Sequence, residues 1–367
     1  MRSAPRDGAN SRRNTKHARE SLDGSIVTAA AKIPVFLLTG FLGAGKTTLL
    51  NAALRDRRLT NTAVVVNELG EIGLDNLIIA EANDNVMLLD SGCLCCANTG
   101  ALQETLTDLA SRRASGALPP FERVIIEASG TADPAPLLNV LLGHSLVTGR
   151  YALEATVCVV DAQHYLEVRL KYPELDKQAS VADRIVITKG DIAKPESVMP
   201  FLKDLNPDAE LIASSFDSPA FAAFFGLERT VKARVRISAL GPLQPHGRSG
   251  GIRAFCFRPP APVTWAGWSA WSRLVATEFG SRLIRVKGLL RMEDSNEIVF
   301  VQGVQGVFHP PYRFRDWPDA DHGNRLVCVA RDLREADIEA TLSALNTEAG
   351  TQASYSLKDL QEGQARK

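Results

Sequence analysis

The chain has 367 residues, 45% of them hydrophobic and 23% charged, and 42 basic residues balance 42 acidic ones. This balance permits an ordinary core, suggests two or three domains on length, and excludes broad electrostatic attraction to nucleic acid or to a membrane surface. No apolar run approaches the ~20 residues of a membrane helix, and no apolar stretch follows the N-terminal arginines as a secretory signal would require.

Residues 1–32 are rich in Arg, Ser, Ala and Asn without apolar period and read as a disordered tail. Asp7, Glu20 and Asp23 argue against a transit peptide. Residues 33–228 alternate short apolar runs with amphipathic stretches. The runs are Val35–Thr39, Ala63–Asn67, Val86–Asp90, Val124–Glu127, Thr156–Asp161, Ile185–Thr188 and Leu211–Ala213. Near-continuous Val, Ile and Leu is the pattern of strands buried on both faces, so the expected fold is α/β: a doubly wound, mostly parallel sheet. Residues 229–250 contain Leu240-Gly-Pro-Leu-Gln-Pro-His-Gly and read as a linker. A smaller α/β domain follows at 251–349. It has strands at Ile252–Phe257, Arg282–Met292, Glu297–Val304 and Arg325–Ala330, a helix over Val263–Phe279 and a closing helix over Leu333–Leu345. Trp265, Trp268 and Trp271 have helical spacing and read as a core face. Residues 350–367 read as a flexible tail.

Gly40-Phe-Leu-Gly-Ala-Gly-Lys-Thr47 matches the pattern G-x-x-x-x-G-K-[ST] of the phosphate loop, between a strand and a helix as that loop requires. Backbone N–H groups at Gly40, Gly43, Ala44, Gly45 and Thr48 would curl around phosphate oxygens, with the helix N-terminus behind them. Lys46 would neutralise phosphate charge and Thr47 would ligate Mg²⁺. Thr188-Lys-Gly-Asp191 follows a late strand. A carboxylate there accepts two hydrogen bonds from guanine and none from adenine, which points to GTP. Arg123-Val-Ile-Ile-Glu127 ends an apolar strand in an acid. Glu127 is a candidate for holding Mg²⁺ or orienting the attacking water, and Gly130 for meeting the γ-phosphate. Asp133 reads as the cap of the next helix.

Six cysteines occur, three of them in Ser91-Gly-Cys-Leu-Cys-Cys96. Cys93, Cys95 and Cys96 can converge on one soft ion, for which Zn²⁺ is the natural match. A structural thiol cluster, or a redox pair of Cys93 and Cys96, is the alternative. Cys158, Cys256 and Cys328 stand alone in apolar runs and read as buried thiols. The pattern is not that of a secreted disulfide protein, and a reducing, cytoplasmic compartment is expected. Glu68 and Glu71, in Asn67-Glu-Leu-Gly-Glu71, lie where a switch loop would. Either Glu68 or Glu71 would reach Mg²⁺ or complete the thiolate site, GTP ordering the switch around Glu68, which with Lys46 and Glu127 is a catalytic candidate; a solvated acidic turn is the plain alternative. The six histidines are scattered, and each reads as a surface or satisfied residue, with His309 facing a partner as the alternative.

Together these motifs resemble the CobW-like GTPases, P-loop metallochaperones related to UreG and HypB. The matching segments include Leu38–Asn51, Asn67–Gly73, Gly92–Cys96, Glu127–Gly130, Ala132–Pro136, Ala182–Ile185 and Thr188–Asp191. Gly251–Phe257, Leu290–Arg291 and Arg325–Val327 extend the likeness into the second domain. The resemblance implies a slow GTPase with Mg·GTP at Gly45, Lys46, Thr47, Thr48, Thr188, Lys189 and Asp191. It implies a transition metal at Cys93, Cys95 and Cys96, zinc first and cobalt next, delivered to a client metalloprotein. The charge balance leaves no nucleic-acid or membrane partner expected, and a homodimer is a further assembly to consider. An activator of a metalloenzyme such as nitrile hydratase, and a regulatory switch without metal transfer, are the alternatives; a kinase is disfavoured by Asp191. Two departures stand out. No His-rich loop is present, and Glu127-Ala-Ser-Gly130 replaces the Thr residues common in relatives.

Overall fold

The computed structural model describes residues 32–66, 86–90, 99–214, 225, 251–259 and 262–347. The expected N-terminal tail, the linker and the C-terminal tail fall outside them.

The first lobe is built on seven strands: β1 (Ile33–Gly40), β2 (Thr62–Val66), β3 (Val86–Asp90), β4 (Arg123–Glu127), β5 (Tyr151–Asp161), β6 (Arg184–Thr188) and β7 (Glu210–Ala213). Their order is β3-β2-β4-β1-β5-β6-β7, and every pairing is parallel. Successive residues of β1 enter different cores. Val35 and Leu37 join one apolar cluster, and Phe36 and Leu38 join the other. A strand with both faces buried must be apolar without alternation, which is what the sequence carries. Because the strands are parallel, all their carboxyl ends lie along one edge, and that edge carries the phosphate loop.

The second lobe is a six-stranded sheet of β8 (Ile252–Phe257), β9 (Leu283–Met292), β10 (Glu297–Val304), β11 (Val307–Phe308), β12 (Tyr312–Phe314) and β13 (Arg325–Arg331). The order is β11-β10-β9-β13-β8, with β12 also on β10, and all these pairings are antiparallel. The helix Trp265–Phe279 covers one face. Thr264 caps it by accepting from Gly267 N at 2.9 Å. Trp268 and Trp271 are buried, and Trp271 Nε1 donates to Thr341 Oγ1 at 2.9 Å. Trp265 is half-buried at the rim, with its Nε1 donating to Ser295 Oγ at 3.3 Å.

Two details differ from expectation. The closing helix is α-helical only over Glu335–Glu339 and tightens to a 3₁₀ helix over Ala340–Asn346. There the chain packs backbone to backbone on the helix Trp265–Phe279. A Cβ at Gly267 would lie 1.8 Å from Leu345 O, and the tighter winding turns that carbonyl onto the glycine. The strands β11 and β12 were not anticipated, being too short to show a period of two.

The lobes are held together by a shared core and by charge. Ile252, Ala254, Ile284, Val304 and Val329 belong to the same apolar cluster as Val35 and Leu37. Asp183, just before β6, accepts from Thr156 N at 2.8 Å, from Arg285 Nη2 at 2.7 Å and from Lys287 Nζ at 2.6 Å. Burial favours the neutral acid, but Lys287 and Arg285 outweigh it and hold the Asp183 carboxyl well below the usual range. Both cations are buried, so removing the acid would strand them. Asp183→Asn is expected to destabilise the chain by on the order of 3 kcal/mol, read as the midpoint of urea unfolding.

His309 corrects the sequence expectation, being neither on the surface nor satisfied. It is 4% exposed, and neither ring nitrogen has a hydrogen-bond partner among the described residues. It sits against Gly143 at the end of the helix Ala135–Gly143, where a Cβ would lie 3.1 Å from Nδ1. Burial lowers its pKa to about 4. A folded-state pKa below the unfolded one makes protonation favour unfolding, so this stability is present above about pH 6.5 and is lost as pH falls towards 4. Melting temperatures measured from pH 7 to pH 4 should fall across that window, and His309→Leu should flatten the fall.

Candidate functional site

The phosphate loop leaves β1 at Gly40 and enters the helix Lys46–Leu54. Gly45 heads that helix with φ of 94°, a left-handed conformation that a side chain resists, and among the described residues no side chain caps the helix. The helix N-terminus is therefore left to a ligand, and an anion suits it. Gly43, Ala44 and Gly45 form the arch. Lys46 is buried, its Nζ donating to Phe41 O at 3.3 Å across the loop. Thr48 is exposed at the helix start.

The expected acid is in place. β4 pairs with β1 so that Glu127 lies beside Leu38, and Thr47 Oγ1 donates to Glu127 Oε1 at 2.8 Å. Glu127 is 1% exposed. A carboxylate and a hydroxyl oxygen converging beside a phosphate cradle form a donor set of the hard-oxygen type that Mg²⁺ takes. Gly130 lies three residues beyond Glu127, pressed on the loop: a Cβ there would meet Leu42 N at 2.7 Å and Leu42 Cδ2 at 2.6 Å.

The second expected motif is joined to the first. Thr188 ends β6, and its buried Oγ1 donates to Ala44 O at 2.7 Å, with Val160 O at 3.2 Å. Lys189 is left-handed (φ 59°), and its Nζ donates to Asp161 Oδ2 at 2.7 Å. Asp191 is exposed on the same loop. The structure thus brings together Gly40, Gly43, Ala44, Gly45, Lys46, Thr47, Thr48, Glu127, Gly130, Thr188, Lys189 and Asp191. Glu68, Glu71, Cys93, Cys95 and Cys96 lie outside the described residues. Cys158 and Cys328 are buried and Cys256 is half-buried; burial raises all three thiols, Cys158 and Cys256 to about 12, so they stay protonated.

Several supporting residues escaped the sequence reading. Asp161 ends β5 opposite Thr188 and takes hydrogen bonds from Lys189 and from His164 Nδ1 at 2.9 Å. Burial would raise its pKa, but the bonds from Lys189 and His164 prevail and lower it. An apolar strand ending in an acid was the available signal, the same one that marked Glu127. Gln178 donates through Nε2 to Gly130 O at 3.0 Å and Ala132 O at 3.1 Å, holding the segment after Glu127. Asp133, which the sequence marks as the cap of the next helix, stands one residue before its N-cap position, Pro134, and accepts from Ala135 N at 3.0 Å. It also accepts from Lys177 Nζ at 3.1 Å and from Gln305 Nε2 of the second lobe at 2.9 Å.

A glycine loop at the carboxyl edge of a parallel sheet, a buried acid bonded to its threonine, and a Thr-Lys-x-Asp loop tied to its arch define a P-loop nucleotide-binding protein. Residues 34–213 match the family described as CobW/HypB/UreG, nucleotide-binding domain, and residues 252–346 match the cobalamin synthesis protein cobW C-terminal domain. The chain belongs to the CobW family. It is similar to the zinc chaperone YjiA of Escherichia coli, at 29% identity over 320 residues, covering 85% of this chain and 98% of that protein. It is also similar to the zinc chaperone CobW of Pseudomonas aeruginosa, at 26% identity over 362 residues, with 88% and 94% covered. Zinc-regulated GTPase metalloprotein activator 1 of Dictyostelium discoideum is 26% identical over 340 residues, with 80% and 70% covered. Among solved structures, the Zn(II)-bound YjiA GTPase from E. coli superposes with a TM-score of 0.66 at 26% identity, covering 86% of this chain and all of that one.

The close seat of Gly130 yields a test. Gly130→Ala forces its loop off Leu42. Multiple-turnover phosphate-release assays should give a GTP hydrolysis rate at least tenfold lower, while GDP affinity by fluorescent-nucleotide titration changes less than threefold.

Proposed function

We propose that this chain is a cytoplasmic GTP-hydrolysing metallochaperone that carries a transition metal, zinc before cobalt, on Cys93, Cys95 and Cys96 to a client metalloprotein. One observation carries the nucleotide half of the reading: the 2.7 Å hydrogen bond from Thr188 to Ala44 O, which seats the base-reading loop on the phosphate loop. A single nucleotide reaches both motifs. Its phosphates lie in the N–H cradle from Gly40 to Thr48 against Lys46, and its base meets the Asp191 carboxylate.

Mg²⁺, when bound, supplies charge neutralisation across the β- and γ-phosphates. Thr47 and Glu127 are the residues that would hold it, directly or through water. Lys46 balances the charge developing on the transferred phosphoryl group, and the Gly130 N–H faces the γ-phosphate. Glu127 also has the placement to accept a hydrogen bond from the attacking water. Gln178 keeps the Gly130 carbonyl occupied, which orients the adjoining peptide.

The coupling to metal rests on topology. Val66 of β2 lies in register with Glu127 of β4 on one side and with Asp90 of β3 on the other. Neighbouring strands are about 4.8 Å apart. β2 and β3 therefore both end near Glu127, and the segments bearing Glu68, Glu71 and the three cysteines follow those two strands in sequence. Ordering of Glu68 by GTP would set the thiolate geometry, and hydrolysis would release the metal. The names of the relatives, zinc chaperones and a zinc-regulated metalloprotein activator, support the cargo and the client.

Two substitutions separate the halves. Asp191→Ala should weaken GDP binding by on the order of a hundredfold without improving ATP binding, because two hydrogen bonds to a charged acceptor are lost. Cys95→Ser should abolish stoichiometric zinc binding in equilibrium dialysis. Zinc bound one to one by that variant would exclude the thiolate site and leave a regulatory GTPase as the reading.

A further inference from the structure

A cavity of about 230 Å³ opens beside the phosphate loop, between its arch and the helices Tyr165–Val168 and Glu174–Val181. Its walls include Phe41, Val160, Tyr165, Val168 and Leu175, and at one side stands Gln178. Lys46, Thr47 and Asp191 do not line it, and the ammonium of Lys189, which does, is already engaged by Asp161. Leu42, Gly43 and Ala44 of the phosphate loop form one side of it, and Asp161 and His164 stand at its polar edge.

Gln178 is 0% exposed. Its amide orientation is determined by its partners: Nε2 faces two carbonyls, Gly130 O and Ala132 O, which can only accept. Oε1 is consequently an acceptor, and it has no hydrogen-bond partner among the described residues. A buried carbonyl without a donor is costly, and natural interiors rarely leave one in that state. Gln178 is among the residues that line the cavity. A dry apolar cavity of about 150 Å³ takes benzene, so this one has the size for two fused rings.

We propose that this cavity is a binding site for a small, planar, apolar molecule carrying a single N–H or O–H donor, which is given to Gln178 Oε1. The walls supply the apolar contact, and Oε1 selects for the donor. The site shares Gly43, Ala44 and Lys189 with the nucleotide groups, but Lys46, Thr47 and Asp191 lie outside its lining, so it fills while nucleotide is bound.

The test uses the full chain loaded with Mg·GDP and ligand-observed NMR titration. The probe is indole. Benzofuran, with the same shape but an ether oxygen in place of the N–H, is the control. Indole should bind saturably and benzofuran about tenfold more weakly. Gln178→Leu should abolish that difference. Val168→Trp, which fills the cavity from a wall remote from the nucleotide groups, should remove indole binding and retain GDP. Equal affinity for the two probes overturns the proposal, and so does indole binding that survives Val168→Trp. Displacement of indole by GDP also overturns it, since the cavity would then belong to the nucleotide pocket, and that result leaves the GTPase reading intact. Failure of the chain to bind GDP would sink the nucleotide reading instead, without touching indole binding to the unloaded chain.

Discussion

The hydrogen bond from Thr188 Oγ1 to Ala44 O joins two segments 144 residues apart, and the arrangement of the site depends on it. β6 delivers Thr188 to the carboxyl edge of the sheet, one strand beyond β5, while the phosphate loop leaves β1 on the near side of β5. A nucleotide long enough to touch both must lie along that edge. The buried hydroxyl satisfies a loop carbonyl that the glycine arch would otherwise leave exposed, and it places Lys189 and Asp191 at the loop's flank. Asp161 completes the arrangement by holding the Lys189 ammonium from the intervening strand.

A second set of polar contacts ties this edge to the rest of the molecule. Gln178 grips the carbonyls of Gly130 and Ala132, and Asp133 takes bonds from Lys177 and from Gln305. The segment after Glu127 is thus connected to one helix of its own lobe and to the β10–β11 turn of the other. Gln305 adopts a left-handed conformation there (φ 49°), which costs energy in a residue with a side chain. Asp133 thereby links this segment to the second lobe.

The lobe junction itself combines two kinds of physics. Apolar residues of β8, β9, β10 and β13 merge into the core beneath the parallel sheet, which resists separation. Asp183 with Arg285 and Lys287 fixes the register of the contact, since a misplaced charge pair in a buried setting is expensive. Among the described residues the His309 ring adds no hydrogen bond to this junction. Its imidazole is accommodated neutral, a feature that makes the junction sensitive to acid.

Much of this was legible in the chain itself. Each core strand of the parallel sheet was found within a residue or two, apart from the early start of β5, because burial on both faces demands unbroken apolar runs. Gly40–Thr47, Glu127 and Thr188–Asp191 were legible because their chemistry restricts residue type at each position. What the sequence could not disclose were the contacts between distant segments. Gln178, Asp183 and His309 carry no local signal of their role, and Asp161 only that of a strand-end acid, since an acid at a strand end or a histidine after a turn has many ordinary fates. Only the parallel order β4-β1-β5-β6 placed Glu127, Thr47, Ala44 and Thr188 along one edge, and only the packing of the second lobe buried His309 against Gly143. Local sequence determines which backbone and which chemistry a segment can supply; long-range packing, in which each contact must be closed against chain entropy, decides which of those groups meet.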